Sequence, residues 1–279
     1  MPRSIFMPEM TNREVQEYLD GGGRTVVVPV GSTEDHGDHG PLWTDVYIPL
    51  EIAKRAAPEL GAIVGPPVPF GIAHDHRGAA GVVHVRLDTF IGLLRDVCTS
   101  LADVGFTRIV LLNGHYCNSH AMEFAVSQFF DELPDGVRVY PFPYWAGLKP
   151  EEAEQYLSGS AGLHANVGET SIVLAINEDL CDMARVRDFT PELPPLRTSP
   201  FALLDPLFLA TPGSFWSLLE PGGGVWGAPS ESTAKKGEQF LEWCATAVVN
   251  LVRDMEDVHD RLEPSYSVSR RKRRETLRS

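Results

Sequence analysis

The segment Arg108-Ile-Val-Leu-Leu-Asn-Gly-His-Tyr-Cys-Asn118 decides the fold class of this chain. Its apolar run ends at Asn113-Gly114, which is typical of a strand that is buried on both faces. Similar runs occur at residues 25–30, 62–64 and 137–140, and segments with helical spacing lie between them. Alternating strands and helices indicate an α/β fold, with a parallel sheet covered by helices on both faces.

The segments around these strands carry signals for helix ends and strand ends. Thr11 and Glu14 form a capping-box pattern, and the helix that they begin is expected to stop at Gly21. Asp88 is the expected N-cap of the next long helix. Pro29 cannot donate to a ladder, which predicts that it lies at a strand end or on an edge strand. Further helices are expected at residues 47–60, 119–133, 169–180 and 233–257.

Composition limits the class of protein. The chain has 279 residues, of which 43% are hydrophobic, and a formal charge of −14. That length supports one large domain with a sizeable core, and the acidic charge argues against nucleic acid as a partner. No apolar run approaches the roughly 18 residues of a membrane span, and no signal sequence is recognisable, so we expect a cytoplasmic protein. We expect a single domain over residues 1–262 and a basic, disordered tail over residues 263–279.

Side chains that can bind metal follow two of the predicted strands. Glu34 and His36 come after the strand at 25–30, with Asp45 further along, and His115 comes directly after the strand quoted above. Because parallel strands end at the same edge of a sheet, we expect these groups to lie close together. Carboxylates and imidazoles are ligands of zinc and manganese. The cluster therefore predicts a metal site. A carboxylate such as Asp45 could bridge two ions, although spacing alone leaves open which residue does so.

Four motifs in a fixed order make the sequence recognisable. They are Pro29-Val-Gly-Ser-Thr-Glu-Asp-His-Gly-Asp-His39, Thr44-Asp45, Asn113-Gly-His-Tyr-Cys-Asn-Ser119 and His164-Ala-Asn-Val-Gly-Glu-Thr-Ser171. In these motifs the chain resembles the creatininase (creatinine amidohydrolase) family, and the resemblance extends to about residue 190. It implies a creatininase-like three-layer α/β/α sandwich with a mainly parallel sheet, a two-metal hydrolase site and a ring-shaped homohexamer. The Pro-rich segment at 190–230 is an expected oligomer contact.

The resemblance also implies a set of metal ligands. The matched ligands are Glu34, Asp45 and His115 for one divalent ion, and His36 with the bridging Asp45 for a second. The ions would be Zn²⁺ or Mn²⁺, with Fe²⁺ as a further option. A glutamate completes the second site in creatininase itself, and Cys117 stands at its position here. Either Cys117 or Glu169 could therefore complete the second site.

Further site residues follow from matched positions. His164 matches the catalytic histidine, which takes a proton from water and returns it to the leaving nitrogen, and Glu169 is a second candidate base. His39 and Asn113 are implied to orient ligands. The candidate substrate contacts are Tyr116 and Trp145.

The expected specificity departs from that of creatininase. A Trp-Asp pair precedes the catalytic histidine in creatininase, whereas this chain has Ser160 and Ala161 there. An aromatic wall and a carboxylate are thus missing, so we expect creatinine to be a poor substrate. The roles of His74, His76 and His84 stay open, because the stretch around them lacks the Phe-Pro-Gly-Thr of relatives.

The matches together imply a metal-dependent hydrolase that cleaves a cyclic amide or related C–N bond of a small molecule with activated water. Two alternatives remain open. One is another chemistry of the family, acting on a formamide, a ring ketone or a peptide. The other is a non-catalytic, metal-containing subunit.

Overall fold

The computed structural model of the chain describes residues 3–157, 161–192 and 216–278. Its central sheet contains four strands, which are β1 Thr25–Val30, β2 Ala62–Val64, β3 Arg108–Asn113 and β4 Arg138–Pro143. They are all parallel and are ordered β2-β1-β3-β4. β1 and β3 pair along their whole length, from Thr25 opposite Arg108 to Val30 opposite Asn113. The two strands that precede the metal-binding motifs therefore lie side by side in the middle of the sheet.

Helices lie between and after the strands. The described α-helices are α1 Asn12–Asp20, α2 Thr44–Ala56, α3 Leu87–Asp103, α4 Asn118–Phe129, α5 Pro150–Tyr156, α6 Val167–Ile176, α7 Trp216–Leu219 and α8 Ala234–Arg278. No helix within the described ranges has the length and apolarity needed to cross a membrane.

The side chains of the sheet alternate between two separate cores. Val27 and Val110 pack with residues of α2, α6 and α8, whereas Val26 and Ile109 pack with residues of α3 and α4. This separation follows from the strand period of two, which sends successive side chains to opposite faces. The molecule therefore has helical layers on both sides of a parallel sheet, and the expected three-layer α/β/α sandwich is confirmed.

Pro29 lies near the end of β1, as expected, but β1 is a central strand, so the alternative of an edge strand was wrong. β2 ends at Val64, which lies opposite Val27. Beyond that point the carbonyl of Pro29 accepts a hydrogen bond from the N–H of Val68 at 2.8 Å. The N–H that proline lacks would point to the same side of β1 as this carbonyl, where β2 has already ended.

Two predicted caps had different outcomes. Thr11 caps α1, and Glu14 bonds back to it, so the capping box is confirmed. Asp88 is not the N-cap of α3, because the helix begins at Leu87 and its N-cap is Arg86. Asp88 instead lies in the first turn, where its carboxylate pairs with the Arg86 guanidinium at 3.0 Å. A negative charge in the first turn interacts favourably with the helix macrodipole, although Asp88 does not cap the helix.

A small second sheet and the last helix complete the described fold. β5, Gly162–His164, pairs antiparallel with β6, Trp226–Gly227. α8 continues to Arg278, beyond the expected end at residue 257 and through the segment for which the sequence predicted disorder. Arg and Lys are good helix formers, so the basic composition of that segment does not oppose a helix. Most of the Pro-rich segment at 190–230, from 193 to 215, lies outside the described residues.

Candidate active site

The carboxyl ends of β1 and β3 bring the first three candidate ligands together. The loop after β1 carries Glu34, the loop after β3 carries His115, and Asp45 lies in the first turn of α2. Glycines let these segments approach closely. A Cβ atom at Gly31 would lie 2.4 Å from the carbonyl oxygen of Asp45, and one at Gly114 would lie 2.2 Å from it. Both loops therefore press against the turn that presents the Asp45 carboxylate.

The candidate ligands form groups that share Asp45. His115 Nδ1 lies 2.9 Å from Glu34 Oε2 and 2.9 Å from Asp45 Oδ2. On the other side, His36 Nε2 lies 3.2 Å from Asp45 Oδ1. The ligand atoms of Glu34, Asp45 and His115 lie within 4.8 Å of one another, and so do those of His36, Asp45 and Glu169. All five side chains are buried.

Glu169 reaches the cluster through the N-terminal turn of α6. Asn166 caps this helix, because its Oδ1 accepts from the Glu169 N–H at 2.8 Å while Glu169 Oε2 accepts from the Asn166 N–H at 3.4 Å. Cys117, the other candidate for completing the second group, belongs to none of the ligand groups found among the described residues. Its sulfur lies 3.8 Å from Asp75 Oδ2, and its thiol also contacts the imidazole of His115.

The imidazoles are oriented for a cation. His115 Nε2 lies 3.1 Å from the carbonyl oxygen of Ile72, and His36 Nδ1 lies 3.4 Å from that of Glu34. Because a carbonyl only accepts, these two nitrogens carry ring protons. The opposite nitrogens face the carboxylates of Asp45 and Glu34, and these close contacts call for a positive charge, supplied by a proton on the ring or by a metal ion between the groups. Two imidazoles among three carboxylates form a donor set that fits divalent metal.

The electrostatics of the cluster also call for positive charge. Burial lowers the pKa of His36, but the Asp45 carboxylate outweighs it and raises that pKa to about 10. Burial raises the pKa of Glu34, yet the imidazole of His115 holds it well below its usual range. Burial raises the pKa of Glu169 to about 7. Within the described residues, Glu34 Oε2 and His36 Nε2 are buried and lie close to ligand atoms of the same cluster, His115 Nδ1 and Asp45 Oδ1, without forming a well-aligned hydrogen bond. Bound cations would compensate both the charge and these atoms.

His164 lies at the end of β5, next to the cluster. Its Nε2 donates to the carbonyl oxygen of Asp35 at 2.8 Å, and its ring centroid is 4.5 Å from that of His36. Its ligand atom also lies within 4.8 Å of those of Glu34 and His36. Burial, followed by the neighbouring imidazoles of His36 and His76, holds the pKa of His164 well below its usual range. The ring is therefore neutral, with Nδ1 as its proton acceptor.

The two residues expected to orient ligands make different contacts. Asn113 Nδ2 donates to the carbonyl oxygen of His115 at 2.6 Å, and its Oδ1 accepts from the His115 N–H at 3.0 Å. This pair of bonds fixes the turn that carries His115. His39 contacts no candidate ligand by hydrogen bond in the described structure, but its Nε2 lies 3.0 Å from Thr170 Oγ1 on α6. Burial lowers the pKa of His39 to about 4.

A cavity of about 60 Å³ opens beside the cluster. Its walls include both expected substrate contacts, Tyr116 and Trp145, together with the catalytic candidate His164. Of the residues that replace the Trp-Asp pair, Ala161 is buried, and Ser160 lies outside the described residues.

Asp75 and His76 also line this cavity, and sequence reasoning left them without an assigned role. They belong to a short 3₁₀ helix, His74–His76. The available signal was the His-Asp-His motif itself, which sits in a Gly-rich stretch with no periodic pattern. Only the tertiary fold shows that this motif lies at the site.

Comparisons with known proteins agree with this geometry. A sequence model of the Creatininase family, described as creatinine amidohydrolase, matches residues 8–252. Creatinine amidohydrolase of Pseudomonas putida is 30% identical over 269 residues, which cover 91% of this chain and 98% of that protein. The mycofactocin precursor peptide peptidase of Mycolicibacterium smegmatis is 34% identical over 245 residues, which cover 86% and 88%.

Structural similarity extends over the same range. A solved structure named "Creatininase Mn" superposes with a TM-score of 0.72 at 29% identity, covering 91% of this chain and 99% of that one. Because the family match spans most of the chain and the relatives align over nearly their full length, this protein belongs to the creatininase family of hydrolases.

Proposed function

We propose that this hydrolase is a metal-dependent amidohydrolase that cleaves the C–N bond of a small cyclic amide or a related compound, with two divalent ions per subunit. The observation that carries the proposal is the position of Asp45. Its Oδ2 lies beside His115 and its Oδ1 beside His36, so one carboxylate serves two ligand groups. When bound, such a pair of ions polarises the scissile carbonyl and lowers the pKa of a water towards about 7.

The donor set limits which metals fit. Each of the two groups that share Asp45 contains two carboxylates and one imidazole, and oxygen and imidazole ligands suit Zn²⁺ and Mn²⁺. Cys117 lies outside both groups, so no thiolate is needed. The similar structure named for manganese supports this choice. We propose Zn²⁺, Mn²⁺ or one of each.

His164 is the proposed proton carrier. Its Nε2 is held by the carbonyl of Asp35, so Nδ1 is the atom that takes a proton from water and returns it to the leaving nitrogen. Glu169 is held by the Asn166 cap beside His36 and Asp45. This placement favours Glu169 as a metal ligand over the role of a separate base.

Creatinine is not the favoured substrate, because a buried alanine, Ala161, stands where the expected carboxylate would be. A peptide C–N bond is the second candidate. The Mycolicibacterium smegmatis relative is named a precursor peptide peptidase and shares 34% identity with this chain. Both candidates use the same chemistry at the scissile bond and differ in what the cavity recognises.

The protein is also proposed to act as a cytoplasmic homo-oligomer, a hexamer by family resemblance. Light scattering tests this directly, since the chain mass is 30.7 kDa. A single-chain mass at micromolar concentration would contradict the proposal.

The decisive experiment measures turnover by metal-loaded protein on creatinine and a panel of lactams, hydantoins, formamides, ring ketones and short peptides. We expect hydrolysis of at least one amide, with creatinine among the poorest compounds. A His164→Ala variant should keep its metal, as measured by elemental analysis, and lose about 100-fold or more in kcat. Full metal content with no turnover of any compound would favour the non-catalytic alternative. Near-normal turnover by the variant would refute the role of His164.

A further inference from the structure

Asp75 is a carboxylate at the cavity that the proposed reaction does not use. It lines the same cavity as Glu34, Asp45 and His115. Its Oδ1 is buried and has no hydrogen-bond partner among the described residues. Its Oδ1 lies 3.7 Å from His74 Nδ1, beyond hydrogen-bond range, and its Oδ2 lies 3.8 Å from Cys117 Sγ, whose thiol is a weak donor.

The position of Asp75 is fixed by its neighbour His76. The His76 ring lies between two other rings, with centroid distances of 4.9 Å to Trp216 and 4.8 Å to His164. Its Nε2 also lies 3.4 Å from Glu34 Oε1. The short helix that carries Asp75 is thus packed directly against the candidate metal and proton-transfer groups, so the carboxylate is held in the wall of the cavity that they share.

The charges around the cavity favour one class of substrate. Its ionisable walls are carboxylates, imidazoles, two tyrosines and a thiol, and no lysine or arginine of the described residues lines it. Glu34, Asp45 and Glu169 belong to the candidate metal-ligand groups, whereas Asp75 belongs to none of the groups found among the described residues. A buried carboxylate oxygen that lacks a donor is unfavourable, and a cationic N–H donor would stabilise it.

We propose that Asp75 is a specificity-determining residue that accepts a hydrogen bond from an ammonium group next to the scissile carbonyl. This inference rests on the proposed amidohydrolase function and names its substrate class, amides that carry a cationic amine. The carboxylate missing at Ala161 is thereby replaced by one from a different segment of the chain. Substrates with a carboxylate in place of the amine would be repelled.

Two lactams of nearly equal shape test the proposal. 3-Aminopiperidin-2-one carries an ammonium group at pH 6.5, since an α-amino group has a pKa of about 8, whereas 3-methylpiperidin-2-one carries a methyl group at the same atom. Their Kd values are measured by ligand-observed NMR with metal-loaded protein. We expect the amine to bind about tenfold more tightly, because a hydrogen bond to a charged group is worth about that factor.

Variants assign the preference to Asp75. Asp75→Asn should bind both lactams with equal affinity and leave the Kd of the methyl compound unchanged. Asp88→Asn, the same substitution at an exposed position of α3, should keep the tenfold preference. Asp75→Ser serves as a second variant if the first does not fold. A preference that persists in the folded Asp75 variant, or equal binding by the wild type, would overturn the proposal.

The binding measurement separates this inference from the proposed function. Preferential binding of the amine without hydrolysis of any amide would retain the role of Asp75 as a binding group and reject the hydrolase. Hydrolysis of lactams without preference for the amine would retain the hydrolase and reject the role of Asp75.

Discussion

The substitution Asn166→Ala tests how the second half of the site is held. Asn166 is buried, and its side chain makes three bonds. Its Oδ1 caps α6 at the N–H of Glu169, and its Nδ2 donates to the carbonyls of Gly162 at 2.8 Å and Tyr156 at 3.3 Å. The alanine variant would lose the cap at the Glu169 N–H and leave two carbonyls without this donor, so the first turn of α6, which presents the Glu169 carboxylate, would be less firmly fixed.

The cost follows from these three bonds. Loss of an N-cap destabilises by about 1 kcal/mol, and each buried carbonyl left unsatisfied costs about 1–2 kcal/mol. The expected total is about 4 kcal/mol in the free energy of unfolding. A chain of 279 residues has an unfolding entropy of about 0.6 kcal/mol/K, so the Tm should fall by about 7 °C.

Thermal unfolding of the metal-free protein measures this change, with Thr11→Ala as the matched control. Thr11 also anchors a capping box, but on the exposed helix α1, so its loss should lower the Tm by only about 2 °C. Elemental analysis of the metal-loaded Asn166→Ala protein should show about one ion per subunit. Equal Tm shifts in the two variants, or two ions retained, would refute the argument.

Three further predictions concern the site and the cores. Asp45→Asn should leave a folded protein that retains neither ion by elemental analysis, because both ligand groups share this carboxylate; retention of both ions would contradict the bridging role. Gly114→Ala should reduce metal affinity, because its Cβ would lie 2.2 Å from the Asp45 carbonyl oxygen. Gly92→Ala is the control: its Cβ would meet no atom within 4 Å in the middle of α3, so this variant should raise the Tm by about 1–2 °C. Cys98 and Cys244 are buried, and burial raises the pKa of both thiols. Mass spectrometry should therefore find both unlabelled by iodoacetamide in the folded protein and labelled in denaturant.

The parts of the fold that local pattern determines were predictable. The apolar run at 108–112 identified β3, and the runs at 25–30 and 62–64 identified β1 and β2. The rule that parallel strands end at one edge also anticipated that His115 and Glu34 would meet. Both inferences need only the spacing of apolar residues and the polarity of the residues that follow them.

The remaining features depend on contacts between distant segments. The pairing of β5 with β6 joins Gly162 to Gly227, and no local pattern marks it. Matched positions left the choice between Cys117 and Glu169 open, and only the tertiary packing of α6 shows that Glu169 lies beside His36 and Asp45. Asp75 reaches the cavity through the packing of its neighbour His76 against distant rings. The local sequence around Asp75 therefore could not show that it lines the cavity.

The spread of the ligands along the chain has a consequence for folding. Glu34 and Glu169 come from the first and second halves of the sequence, so the groups that could hold an ion meet only after long loops have closed. An unfolded chain offers no comparable site, and metal therefore binds the native state selectively. At a free metal concentration of 100 Kd, this linkage adds about 2.7 kcal/mol to the free energy of unfolding. The supply of metal in the cell would then set the fraction of the protein that is folded as well as its activity.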